Sequence, residues 1–379
     1  MGRSSPPLFA QILGFEEYQV YRCPAGYETP LNHFGFAPGG RILLATHAAG
    51  GFLWDTSRGR MLASLGQKAI NYAFFHPDEL DLYAVTSYGL LRWPWRAAVE
   101  DSRLEINLGP PHCYPLSYGL GQGTFATETR EVLIEHVGHL HRIHAGKPDS
   151  EALRPIDLQQ DRMQLSSDGI WLAAWTRARN EIILMTRGDS KSDWQEAARF
   201  AGSAHFAFSP DCQMLITCWD HSYRFWSLES LAELDARRLP LNVSGPPDGP
   251  LACAPLPSQG RGTLLAVADG KFTIRLFEVE TDPHVPHRLL ATLESPSQFP
   301  TRSMEFNHDG SRLAVARSDQ TLEVWNLRRI GLRLEPLGLQ DQWPQWPEEF
   351  EPVIQLTLTP GEPNREIANH YWDLEDYTR

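Results

Sequence analysis

The sequence predicts an all-β chain folded as a seven-bladed β-propeller of four-stranded antiparallel blades, with a short C-terminal extension. Three observations carry this. A turn-flanked marker recurs along the chain, a second apolar position follows each marker at a nearly constant distance, and the residues between alternate as strands do. The composition agrees: 42% of 379 residues are hydrophobic, 21% are charged, and 29 Gly and 29 Pro supply many turns.

The marker is an aromatic residue or Leu followed by a reversal rich in Pro, Asp and Gly. It reads Phe36-Ala-Pro-Gly-Gly40, Phe75-His-Pro-Asp-Glu79, Leu165-Ser-Ser-Asp-Gly169, Phe208-Ser-Pro-Asp-Cys212 and Phe306-Asn-His-Asp-Gly310. The spacings are 39, 90, 43 and 98 residues, so the two long ones each leave room for a degenerate copy. Leu116-Ser-Tyr-Gly119 and Leu256-Pro-Ser-Gln-Gly260 stand in those gaps and bring the count to seven. The second ruler is Trp54, Trp93 and Trp226, each 18 residues after its marker, and Trp325, 19 after; Ile134, Met185 and Phe277 take the place in the weaker units.

Within a unit, Ala204–Phe208, Met214–Thr217 and Ser222–Trp226 read as three strands, and Arg302–Phe306, Arg312–Ala316 and Thr321–Trp325 repeat the plan. Asp-Gly and Pro-Asp between them favour tight reversals, because these residues tolerate the angles a turn demands. A fourth, more variable strand follows, as in Gly59–Leu65 and Arg288–Leu293. Repeated four-stranded units of this length close into a ring by burying both faces of each sheet on its neighbours.

These residues resemble the WD-repeat (WD40) family. Trp54-Asp55 is its literal dipeptide, and Trp226-Ser227 and Trp325-Asn326 are close variants. The resemblance implies a structural Asp in the turn before the Trp strand. Asp220 and Asp319, each six residues before its Trp, fit; the other units lack it, with Ala48 and Ser87 in two of them, and no Gly-His pair opens a blade. The blade residues implied are therefore Trp54, Asp55, Trp93, Asp220, Trp226, Asp319 and Trp325. The resemblance covers 31–327. The stretch 328–358 (a helix shortened by Pro336, Trp343-Pro-Gln-Trp-Pro347 and a last strand) resembles the ending of WD-repeat regions in planctomycete-type bacterial proteins.

At the ends, residues 1–30 form an N-terminal segment whose strand at 15–22 is expected to supply the missing fourth strand after Trp325. Val353–Leu358 competes for that place, and 359–379 is an acidic tail expected to be mobile.

The functional classes narrow by exclusion. A net charge of −13 disfavours nucleic acid and anionic membrane surfaces as partners. There is no apolar run of spanning length, and Pro6 stands where N-myristoylation needs Ser or Thr, so a soluble cytoplasmic protein is expected. Cys23, Cys113, Cys212, Cys218 and Cys253 are odd in number and contain no C-x-x-C, as reduced packing cysteines would be. His136, His139, His141 and His144 are the conspicuous ligand-type cluster. They fall where an outer strand of the third unit belongs, lack an evident completing carboxylate, and read as packed or solvated side chains. Gly119-Leu-Gly121-Gln-Gly123 lacks the Lys and helix of a phosphate loop. No catalytic motif appears, and no cofactor or metal is expected.

Binding remains. In WD-repeat propellers, the resemblance implies, the turns before the Trp strands lie on one rim and meet protein partners. Those turns hold His47, Tyr88, Arg130, Arg177, Arg179, Trp219, His221, Lys271 and Arg317, of types enriched at hot spots. The expectation is a non-catalytic scaffold for protein–protein contact, in bacterial signalling by analogy with relatives that carry kinase domains. The alternative is a propeller enzyme, a metal-dependent hydrolase or lactonase with its site in the central channel.

Overall fold

A computed structural model describes residues 8–10, 17–22, 31–47, 50–65, 70–76, 81–86, 89–100, 103–114, 123–126, 131–136, 139–144, 150–155, 160–176, 179–188, 194–220, 222–234, 239, 249–257, 262–280, 282, 285–339, 343–347 and 353–359. Strand dominates, and the described residues contain one α-helix, α1 (Leu327–Leu334).

The chain divides into two compact units. One holds three four-stranded sheets in chain order. Sheet 1 is Leu31–Phe36, Ile42–His47, Gly50–Asp55 and Arg60–Ser64. Sheet 2 is Ile70–Phe75, Leu82–Thr86, Gly89–Trp93 and His112–Tyr114. Sheet 3 is Gly123–Ala126, Glu131–His136, His139–His144 and Ser150–Pro155. Leu44, Leu53 and Ile70 fill the space between sheets 1 and 2, and Phe74, Tyr83 and Val132 that between 2 and 3.

The other unit holds four sheets. Sheet 4 is Gln160–Leu165, Trp171–Thr176, Glu181–Arg187 and Trp194–Ala201. Sheet 5 is Phe206–Phe208, Met214–Trp219, Ser222–Ser227 and Glu233–Leu234. Sheet 6 is Leu251–Pro255, Thr263–Asp269, Thr273–Val279 and Arg288–Glu294, with Leu8–Ala10 added parallel to its last strand. Sheet 7 is Thr301–Phe306, Arg312–Arg317, Leu322–Asn326 and, from the N-terminal segment, Tyr18–Tyr21. Apolar clusters join 4 to 5, 5 to 6 and 6 to 7 in turn.

The two sequence rulers have a common cause. In five sheets the marker residue, a Leu on the second strand and the Trp-position residue stand directly opposite one another: Phe36–Leu43–Trp54, Phe75–Leu82–Trp93, Leu165–Leu172–Met185, Phe208–Leu215–Trp226 and Phe306–Leu313–Trp325. All five leucines are 0% exposed. Each stabilises its sheet by about 1.5–3 kcal/mol of side-chain burial, and the constant loop lengths hold the row together.

The weaker units depart from the rulers. Ile134 lies on the second strand of sheet 3, so the third strand is His139–His144 rather than an outer one. In sheet 6, Leu256 donates its N–H to Gly262 as Asn307 does to Arg312, which puts Pro255, Thr263 and Val279 in the row and Phe277 two residues short of it. Leu116–Gly119 lies outside the described residues.

Two further features break the simple repeat. A hairpin, Trp95–Glu100 with Arg103–Leu108, is inserted before the last strand of sheet 2. Val353–Leu358 pairs parallel with that hairpin, not with the Trp325 strand, which takes Tyr18–Tyr21 instead. At the C-terminal side, α1 starts on Asn326, whose side chain accepts the Arg329 N–H, and gives way to a 3-10 turn at Glu335–Leu337, where Pro336 cannot continue an α-helix. Apart from Thr359, the acidic tail lies outside the described residues.

Candidate docking surface

The predicted rim residues occupy different environments. His47, Trp219 and Arg317 are equivalent, each four residues past the row leucine on the second strand. His47 is wholly buried, edge-on to Phe52, and Arg317 is 1% exposed, so neither belongs to a surface. Trp219 is half-buried, while Arg179 and Lys271 are exposed. Tyr88, Arg130, Arg177 and His221 lie outside the described residues.

Arg317 instead organises a buried polar cluster in sheet 7. Its Nε and Nη2 donate to Glu323 Oε2 at 2.8 and 2.5 Å, and its Nη1 donates to the Thr301 hydroxyl. The Ser295 hydroxyl donates to the other Glu323 oxygen at 2.6 Å. Tyr18 packs its ring 4.6 Å from Trp325, and burial, then the Glu323 charge, push its phenol above the ordinary range. The family-type Asp319 works locally: its Oδ1 accepts the Thr321 N–H at 3.2 Å and the Thr321 hydroxyl at 2.7 Å. Asp220 is exposed, with φ of 49°. Of the four predicted blade tryptophans, Trp54, Trp93 and Trp325 are buried. Trp226 packs against Phe200 of sheet 4, the rings tilted with centroids 4.2 Å apart, and donates its indole N–H to the Thr217 hydroxyl. Asp55 is buried against Arg41, Arg58 and Arg60 and accepts from Ser57.

One edge of sheets 4 to 7 is laced by hydrogen bonds to backbone carbonyls. The segment between consecutive sheets bonds to the second turn of the sheet before it, of the sheet after it, or of both. Gly202 donates to Asn180, and Ser203 to Cys218. Between sheets 5 and 6, the Tyr223 hydroxyl donates to Gly249, and Ala268 donates to Pro250. Between 6 and 7, Ser295 donates to Phe272, Thr301 to Lys271, and Ser318 to Pro300. These bonds hold the turns as a preorganised surface, so little ordering entropy remains to be lost on binding.

On that edge Phe299 is 48% exposed, and Arg302 and Lys271, whose carbonyl accepts from the Thr301 N–H, are both exposed. Among the described residues no carboxylate pairs with either cation; Asp319 is committed to Thr321. Arg302 is aimed outward by a bulge, an extra residue between the paired Thr301 and Ser303. The same bulge, four residues before the marker, occurs at Asn32 and Asn71, and at 161. Asn32 uses it to donate to the Ile70 carbonyl of the next sheet at 3.0 Å.

Phe299 and Arg302 were missed from sequence. Their only signal is an aromatic residue between prolines in a sheet-to-sheet connection, and the bulge leaves no mark in the alternation. The histidine run spans the second and third strands of sheet 3, where His136 faces His139 in register and His141 is half-buried. Among the described residues no group of three or more His, Cys, Asp or Glu is placed to hold a metal ion. Cys212 and Cys218 are buried free thiols; Cys113 and Cys253 are free and partly buried. No helix of the described residues is long and apolar enough to cross a membrane.

A family model, the WD domain, G-beta repeat, matches residues 287–326. The match takes in the last strand of sheet 6 and the first three of sheet 7, and so contains Phe299, Arg302 and the Arg317–Glu323 pair. Among curated proteins none matches the chain. The chain thus carries a WD40 repeat within an array of four-stranded antiparallel sheets, a class of module associated with protein interaction.

Proposed function

We propose that the chain is a WD-repeat β-propeller whose seven successive sheets are its blades, and that it acts as a non-catalytic scaffold for a protein partner. The surface that binds is the edge bearing Lys271, Phe299 and Arg302. One observation carries this reading: an exposed aromatic side chain and an exposed Arg302 lie inside the matched repeat, a backbone bond from Thr301 ties them to exposed Lys271, and among the described residues no carboxylate pairs with either cation. Aromatic and Arg anchors on a rigid support are what hot spots use, and a local positive field on a chain of net charge −13 selects an acidic partner. A place in bacterial signalling rests only on the resemblance of the C-terminal ending.

The test is quantitative affinity capture from native extract with the parent chain and with Lys271→Glu/Phe299→Ala/Arg302→Glu. The partner should be retained by the parent and lost by the variant at an unchanged melting temperature. Equal retention would remove this edge from consideration. Elemental analysis of the purified protein separates the enzyme reading, which requires a stoichiometric metal.

A further inference from the structure

We propose that two copies of this chain pair through the inserted hairpin, strand Trp95–Glu100 lying antiparallel to the same strand of the second copy. The sheet formed by the hairpin and Val353–Leu358 has two edges. The Val353–Leu358 edge is already engaged by the last strand of sheet 1, whose Arg60 guanidinium donates to the Ile354 carbonyl. Among the described residues the Trp95–Glu100 strand pairs only with Arg103–Leu108, and Arg96, Ala97, Ala98 and Val99 are all exposed, Val99 at 62%.

The pleat decides which backbone groups are free. Gly109 donates to the Pro94 carbonyl and Thr359 to the Leu108 carbonyl. Residues 96, 98 and 100 therefore turn their N–H and C=O groups toward the hairpin partner, as Pro94 does its C=O, and 95, 97 and 99 turn theirs away. The Trp95 N–H is taken by the Asp81 carboxylate at 3.1 Å. Ala97 and Val99 are left with two donors and two acceptors that meet nothing among the described residues. Natural edges are usually blunted by Lys, Pro or an inward charge; none of these stands at 97–99.

The strand is self-complementary about Ala98. Antiparallel pairing centred there puts Ala97 opposite Val99 of the second copy, and Val99 opposite its Ala97. All four free groups on each strand are then used, in two hydrogen-bonded pairs. The same register puts Arg96 opposite Glu100 of the second copy twice over, as oppositely charged cross-strand neighbours. It also continues the apolar face, on which Ala97 lies beside Ile106 and Leu356, and Val99 beside Leu104 and Ile354. Cross-strand charge and hydrogen-bond parity select one register and one occupant, a second copy of this chain, giving a six-stranded sheet with a two-fold axis through Ala98.

Sedimentation velocity of the full chain over a concentration series tests this. The parent should dimerise reversibly. Arg96→Glu and Glu100→Arg should each weaken the dimer at least tenfold, by placing like charges opposite. The double variant R96E/E100R should restore it, and an equimolar mixture of the two single variants should form a heterodimer. Ala97→Pro, which removes an N–H with no internal partner on an edge that tolerates Pro, should give a monomer with an unchanged far-ultraviolet spectrum; should it misfold, the charge series decides alone. A parent that stays monomeric at its highest soluble concentration, a dimer indifferent to the single changes, or a loss that the swap does not restore would each overturn the proposal.

Discussion

Arg317 and Glu323 form an ion pair in which both side chains are 0% exposed, at 2.5 Å. Each charge satisfies the other, and Thr301 and Ser295 satisfy what remains. Desolvation makes such a pair costly to break from one side and cheap to replace as a whole. Arg317→Met or Glu323→Leu alone should therefore destabilise the fold by about 3–5 kcal/mol, because one buried charge is left uncompensated. The double variant Arg317→Met/Glu323→Leu should recover most of that loss. Chemical denaturation of the four proteins measures the coupling, and additive losses would show that the two groups do not act as a pair.

His205 Nδ1 lies 3.4 Å from Arg162 Nη1, so the ring accepts from the guanidinium and is neutral. Burial first, then the Arg162 charge, lower its pKa from 6.5 to about 3. The unfolded chain takes up this proton near the ordinary value while the folded chain refuses it. The stabilisation is thus complete above about pH 6.5 and is lost progressively as pH falls toward the folded value. The stability advantage of the parent over His205→Gln should shrink between about pH 7 and 4. A gap that is constant across that range would mean that His205 does not titrate as described.

The strand array was legible in the sequence because each row of Phe, Leu and Trp is set by local loop length and by period-two alternation. Both survive as spacing even in unequal repeats. Sheet 3 was misread by one strand because its markers have no Trp to anchor the count, and the histidine strand took the place of the expected apolar one. The inserted hairpin escaped because Trp95 follows Trp93 so closely that the two read as one strand end. The rim was half legible: turn position identifies Lys271, yet it does not distinguish Lys271 from Arg317, since burial depends on whether Glu323 stands across the strand. That pairing joins neighbouring strands and has no signature in the turn itself.

The Asp309 carboxylate holds the first turn of sheet 7 by accepting from the Ser311 N–H at 2.9 Å and from Asn307 at 2.7 Å, with Arg328 at 3.1 Å. Burial acts to raise its pKa, but the bonds from Ser311 and Asn307 and the Arg328 charge outweigh burial and lower it below the ordinary 3.8. Its contribution is present above that ordinary value and lost as pH falls through the lower folded one. Asp309→Ala should cost about 1 kcal/mol at neutral pH, a figure reduced for its partial exposure. The deficit should narrow only in strong acid; a deficit that already closes at pH 5 would contradict the depressed ionisation.

In the same turn Gly310 has φ of 71°, and its N–H donates to the Asn307 carbonyl at 3.0 Å. A methyl group there would stand 3.0 Å from Ala254 Cβ and 3.1 Å from the Pro255 carbonyl oxygen, both on the first strand of sheet 6. The position therefore sets both a turn and the approach of two sheets. Gly39, in the corresponding turn of sheet 1, has φ of 85° with nothing within 4 Å of an added Cβ, so it isolates the backbone requirement. Gly39→Ala should cost about 1–2 kcal/mol from the left-handed conformation alone. Gly310→Ala should cost more, since backbone of the adjacent sheet must also give way, and its melting temperature should fall further than that of Gly39→Ala. Cys212, at the equivalent place in sheet 5 with φ of 54°, shows that a side chain is accommodated in this turn, its Sγ 3.0 Å from the Ser167 hydroxyl of sheet 4. Equal losses at Gly39 and Gly310 would mean that sheets 6 and 7 are not in van der Waals contact at this turn.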